Sequence, residues 1–151
     1  MADLNAIAAA KTSELISFFG INADAKPVIT EDGIVLDIDA PTASARLIGY
    51  HGETLRALEY VINQIMKRVD GDAPRYQLDV AGYREARRRG LEELARDAAA
   101  RVVETGASEE LRPMNPAERR IVHMTLRELP EVVTESVGED RSRRIVIKRA
   151  T

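Results

Sequence analysis

Leu55, Leu58, Val61, Ile62, Ile65, Met66 and Val69 recur at steps of three and four directly after the run Gly49–Tyr50–His51–Gly52. That spacing is the apolar stripe of a helix packed on one side. The two glycines then mark a tight loop feeding the helix N-terminus. Glycine lets a foreign backbone approach closely, and the unpaired N–H groups of a first helical turn attract an anion. A GxxG run alone is equally the entry turn of a plain helix, so its weight depends on the elements around it.

Upstream, Leu4, Ile7, Ala8, Leu15, Phe18 and Phe19 predict a first helix ending near Gly20. Lys26–Thr30 reads as a strand and Asp32–Gly33 as a hairpin turn. Ile34, Leu36 and Ile38 alternate with Val35, Asp37 and Asp39, the pattern of a half-buried strand. Pro41–Thr42 opens a short helical turn through Leu47. Beyond the GxxG helix, Gly71–Pro74 breaks the chain, and Tyr76, Leu78 and Val80 alternate as a third strand.

The predicted order over residues 1–81 is therefore α-β-β-α-α-β, with the loop between the two successive helices. This order resembles the type II KH domain, whose GxxG loop clamps a short single strand. The resemblance implies RNA-binding roles for Gly49, Tyr50, His51 and Gly52. The pair between the glycines is usually basic in such loops; here it is Tyr50–His51, which removes phosphate charge and offers two rings for base stacking. Replacing Gly49 and Gly52 by Asp is expected to abolish RNA binding at an unchanged melting temperature.

Residues 82–151 are predicted as a second domain, so the fold class is α+β throughout. Tyr83–Glu104 reads as a long helix with Leu91, Leu94, Ala95, Ala98, Val102 and Val103 as its buried stripe. Glu109–Met114 reads as a short strand. Asn115–Pro116–Ala117–Glu118 is a strong helix start: an N-cap, a first-turn Pro, and a Glu that bonds back to the cap. That helix runs to about Leu129, facing Val122, Leu126 and Leu129 inward and stopping before Pro130. Val132–Ser136 and Arg144–Lys148 form a terminal hairpin.

Arg119 and His123 stand four apart on the capped helix and share a face, with Arg120 adjacent. Arginine offers a planar fork to phosphate, and histidine donates to phosphate or stacks on a base. The whole run Arg112–His123 resembles the R-3-H domain, named for an arginine and a histidine separated by three residues, a module of single-stranded nucleic-acid-binding proteins. A type II KH domain followed directly by R-3-H resembles the bacterial Jag (KhpB) family. Members often carry a further N-terminal domain, for which this chain leaves no room.

The resemblance implies binding of single-stranded RNA, with single-stranded DNA left open, through Gly49–Gly52, Arg119, Arg120 and His123. It further implies an RNA chaperone or post-transcriptional regulator linked to cell-wall synthesis, elongation and division. A small single-KH protein is the implied partner, and a homodimer is the other assembly considered. The alternative reading is a protein–protein interaction or dimerisation module with weak or no nucleic-acid binding.

The charge distribution bears on both readings. Residues 1–81 hold 7 Lys/Arg against 12 Asp/Glu, whereas residues 82–151 hold 15 against 13. The basic residues of the second half cluster at Arg84–Arg89 and Arg141–Arg149, each of which alone reads as a solvated face. With no Cys and two His, the chain offers little for metal or nucleophile chemistry. It carries no phosphate-binding or dinucleotide fingerprint. No enzyme activity, catalytic residue, metal site or cofactor is expected. No apolar run suits a membrane span or signal peptide, so a cytoplasmic protein without membrane insertion is expected.

Overall fold

The computed structural model describes residues 3–151; the first two residues of the predicted 1–81 domain lie outside the described residues. The chain divides into two compact units, one extending to Arg84 and the other running from Glu85 to Thr151. Each has its own core, and each is described by itself.

The first unit contains α1 (Leu4–Ser17), β1 (Ala25–Thr30), β2 (Gly33–Ile38), α2 (Ser44–Ile48), a 3-10 turn (Tyr50–Gly52), α3 (Glu53–Val69) and β3 (Tyr76–Val80). The element order is the expected α-β-β-α-α-β. The strands form one sheet in the order β1-β2-β3. The β1–β2 pair is antiparallel, with Ala25 opposite Ile38. The β2–β3 pair is parallel, with Leu36 opposite Leu78. Alternation places Leu36, Ile38, Tyr76, Leu78 and Val80 in the core, where Ala8, Ile16, Leu47, Ile62 and Met66 meet them. Burial of this apolar surface is the main stabilising term.

The free edge of β3 is occupied by side chains of α3 and the residues after β3. Asn63 Oδ1 accepts from the Tyr76 N–H at 2.9 Å, and Asn63 Nδ2 donates to the Tyr76 carbonyl at 2.8 Å. Glu59 accepts from the Leu78 N–H at 3.0 Å, and Arg84 Nε donates to the Leu78 carbonyl at 2.7 Å. Edge backbone groups that would otherwise recruit another strand are thereby satisfied.

Two expectations for the first helix change. α1 stops at Ser17, and its buried face is Ala8, Ala9, Thr12 and Ile16. Phe18 is 81 % exposed and Phe19 is exposed as well. Once the helix ends, the i, i+4 register that would have carried these rings inward is lost. Val61 and Val69 of α3 and Leu94 and Val103 of the next helix, Tyr83–Thr105, are likewise exposed, because the buried stripes are narrower than the apolar patterns.

The helix α4 (Tyr83–Thr105) precedes β4 (Glu109–Glu110), α5 (Pro116–Arg127), β5 (Val132–Val137) and β6 (Arg144–Arg149). The second sheet has the order β4-β6-β5, both pairs antiparallel. Leu91, Ala95, Ala98 and Val102 of α4 pack with Val122, Leu126, Ile145 and Ile147. The predicted strand Glu109–Met114 shortens to two residues. Its continuation still follows β6, with Leu111 N–H bonded to the Ile145 carbonyl and Met114 N–H to the Arg143 carbonyl. Pro113 has no N–H to give, so a regular ladder cannot form there. No described helix is long and apolar enough to cross a membrane.

Candidate nucleic-acid interface

Gly49 ends α2 at φ +69°, ψ −170°, a region essentially confined to glycine. A Cβ there would collide with the Thr54 hydroxyl and lie 2.7 Å from the Thr54 Cβ. Gly52 is buried at φ +78° and opens α3; a Cβ on it would stand 3.1 Å from the Tyr83 ring. Both glycines are thus required by the fold itself. The expectation that Asp at both positions spares the melting temperature is corrected: both changes strain the backbone and crowd packed side chains.

Between the glycines the chain makes one tight turn. His51 sits at φ +50°, ψ +31°, and its ring stacks on Tyr50 with centroids 4.1 Å apart and planes 12° from parallel. Tyr50 is 74 % exposed. One face of the Tyr50 ring is taken by His51. No side chain caps the start of α3, and its first residue is the exposed Glu53. Glu53 places a carboxylate in the turn where a phosphate would be drawn, a feature the glycine pattern conceals. Its charge suits the helix N-terminus but repels an anionic ligand there.

In the second unit, α5 begins as predicted. Asn115 Oδ1 accepts from the Glu118 N–H at 3.0 Å, and Glu118 accepts in return from the Asn115 N–H at 3.3 Å. Glu118 is buried and also pairs with Arg87 Nε at 2.8 Å. Arg119 is partly buried, and its Nη1 donates to the Met114 carbonyl at 2.7 Å. Arginine carries five N–H donors, and this contact uses one of them. Arg120 is exposed, with no hydrogen bond or ion pair from its side chain to another described residue. His123 is exposed, with Nδ1 and the Thr134 hydroxyl 2.7 Å apart. The contact fixes the ring plane and leaves Nε2 as the other polar atom of the imidazole.

Arg127 is missed by a motif reading that stops at His123. It follows His123 by four residues and Arg120 by seven, which brings all three to one helical face. That spacing was the available signal. Arg127 is exposed and, like Arg120, makes no ion pair with a described residue.

Several arginines that look like a basic patch in the sequence are neutralised. Arg84 pairs with Glu59, Arg87 with Glu118, Arg88 with Glu85 and Glu92, and Arg89 with Glu85. Arg144 pairs with Glu110 and Lys148 with Glu135. Hydrogen bonds from Arg88 and Arg89 hold the Glu85 carboxyl down at about 2, and the Arg101 guanidinium lowers that of Glu109. Among the described residues of the second unit, Arg112, Arg119, Arg120, Arg127, Arg141, Arg143 and Arg149 have no carboxylate partner. Their charge is left uncompensated by any described carboxylate.

Residues 89–149 match the R-3-H domain model, so an R-3-H domain is present. The chain is 43% identical over 101 residues to the RNA-binding protein KhpB of Clostridium symbiosum, covering 67% of this chain and 46% of that protein. It is 37% identical over 106 residues to the RNA-binding protein KhpB of Bacillus subtilis (strain 168), covering 69% of this chain and 51% of the relative. A third relative of the same name, from Lactiplantibacillus plantarum, is 33% identical over 132 residues, with 80% and 41% coverage. The chain spans about half the length of the curated relatives it matches.

Proposed function

The chain belongs to the KhpB (Jag) family, and from that premise we propose that it is a single-stranded RNA-binding protein rather than an enzyme. The reading comprises a type II KH domain over 1–81 and an R-3-H domain over 82–151. RNA contacts come from the Gly49–Gly52 turn with the Tyr50 ring, and from Arg119, Arg120 and His123. The observation that carries it is the face of α5. There, cations without carboxylate partners stand beside an exposed imidazole, while neighbouring arginines are paired off. Uncompensated arginine next to a stackable ring is the combination that single strands recruit.

The finer reading, drawn from the family resemblance, is an RNA chaperone or post-transcriptional regulator in the cytoplasm, linked to cell-wall synthesis and division. A small single-KH protein is its proposed partner, with a homodimer as the other assembly. The test is a titration of labelled single-stranded RNA, its duplex and single-stranded DNA of the same sequence. Preference for the unpaired RNA supports the reading; no measurable binding of any of them refutes it.

A second reading, an interaction module, is favoured by the apolar exposure of the first unit. Val28 and Ile29 are exposed on the edge strand β1, and Phe18 is exposed at the end of α1. Loss of self-association on Ile29→Lys, with RNA affinity unchanged or absent, would favour it.

A further inference from the structure

The strand β5 is an edge strand, and α5 lies along it. Where they meet, His123, Leu126, Arg127, Val132, Val133 and Thr134 line a shallow groove. Leu126 and Val132 in its lining are buried apolar side chains, and Thr134 shares the strand face of Val132. One wall carries the imidazole, held by the Thr134 hydroxyl at 2.7 Å. The Arg127 guanidinium, which has no described carboxylate partner, stands one helical turn further along.

We propose that this groove holds one nucleotide of a single strand, with the base against the His123 ring and the phosphate on Arg127. The inference deepens the RNA-binding reading and rests on it. It adds Arg127 as a binding residue and Thr134 as a positioning residue. Apolar side chains beside an aromatic ring suit a base without specifying which, and a neighbouring guanidinium suits the adjoining phosphate. Thr134 acts through the His123 ring that it bonds. It holds the imidazole plane, so that His123 does not have to be ordered when the strand binds.

The two residues separate by their response to salt. A phosphate contact contributes to counterion release, whereas a residue that orients a ring does not. Arg127→Gln in the full chain should therefore lower affinity for labelled oligouridylate and oligoadenylate alike by about tenfold. It should also flatten the dependence of log affinity on log salt by about 0.7, the share of one phosphate on a single strand. Thr134→Val keeps the side-chain shape and suits a strand, so the fold should hold, as a thermal melt would verify. It should weaken binding about threefold with the salt slope unchanged, and Thr134→Ser should restore it, because a lost neutral hydrogen bond is a modest effect.

Wild-type affinity and slope in Arg127→Gln, while Arg119→Ala loses binding, would overturn the groove and leave the RNA-binding reading standing. Absence of binding by the wild-type chain would overturn both. A salt slope changed by Thr134→Val, or failure of Thr134→Ser to restore affinity, would overturn the positioning role.

Discussion

Arg119 donates to the carbonyl oxygen of Met114 at 2.7 Å, so the arginine of the motif also ties down the segment before its own helix. The Met114 N–H in turn bonds to the Arg143 carbonyl at 3.1 Å, which joins that segment to the start of β6. Arg119 thus carries a structural contact and a candidate ligand contact at once.

Arg119→Ala is expected to do two things. Removing a hydrogen bond from a charged donor should cost about 1 kcal/mol of stability, lowering the melting temperature by several degrees. RNA affinity should fall further, by about tenfold or more, because the fork to phosphate is gone. His123→Ala should cost less binding than Arg119→Ala, since a ring contact or neutral hydrogen bond contributes less than a charge-assisted one. Binding titrations with thermal melts check this; a loss from His123→Ala as large as that from Arg119→Ala would give the imidazole an equal share of the contact.

Glu53 should act against RNA binding. Glu53→Gln removes a carboxylate from the first turn of α3 and should raise RNA affinity. It should lower stability by about 0.3–1 kcal/mol, because the helix dipole loses a favourable charge. Tyr50→Ala should do the opposite, leaving stability nearly unchanged and weakening binding by about 1–3 kcal/mol, the range of a base stacked on an aromatic ring. Unaltered affinity in both variants would leave the glycine turn as a purely structural entry to α3.

Salt sensitivity should be moderate despite the arginine count. If Arg119, Arg120 and Arg127 each meet one phosphate, log affinity should fall with log salt at a slope of about −2. A slope several times steeper would mean that the paired arginines give up their carboxylates to bind RNA. A flat response would exclude phosphate contacts.

The acid limb of stability should involve α4. Hydrogen bonds from Arg88 and then Arg89 depress the folded-state pKa of Glu85 to about 2. A depressed carboxyl stabilises the fold above its unfolded value, near the ordinary 4.5, and loses that effect as pH falls toward about 2. Glu109, lowered by Arg101, acts in the same direction. Both groups are largely solvated, so the effect is small. Urea midpoints of the Glu85→Gln variant and the wild type should differ at neutral pH and converge near about pH 2; a constant gap would mean the ion pairs contribute nothing.

Local sequence determined the parts of this protein that depend on local physics. The stripe Leu55–Leu58–Ile62–Met66, the alternation in β2 and β3, and the Asn115–Glu118 capping box are each set by residues within a few positions of one another. Periodicity and cap chemistry were therefore enough to order the elements and place the Arg119–His123 face. What only the tertiary structure decided depends on distant partners. Glu59 is 25 residues from Arg84, Glu118 is 31 from Arg87, and Glu110 is 34 from Arg144, so no local pattern could show which arginines are neutralised. The Tyr50–His51 stack required the left-handed turn at His51, and the glycines' collisions with Thr54 and Tyr83 required packed side chains. Thr134 reaches His123 only because β5 folds back beside α5, across 11 residues of chain. Periodicity fixes which face a side chain shares; only the closed chain fixes what stands opposite it.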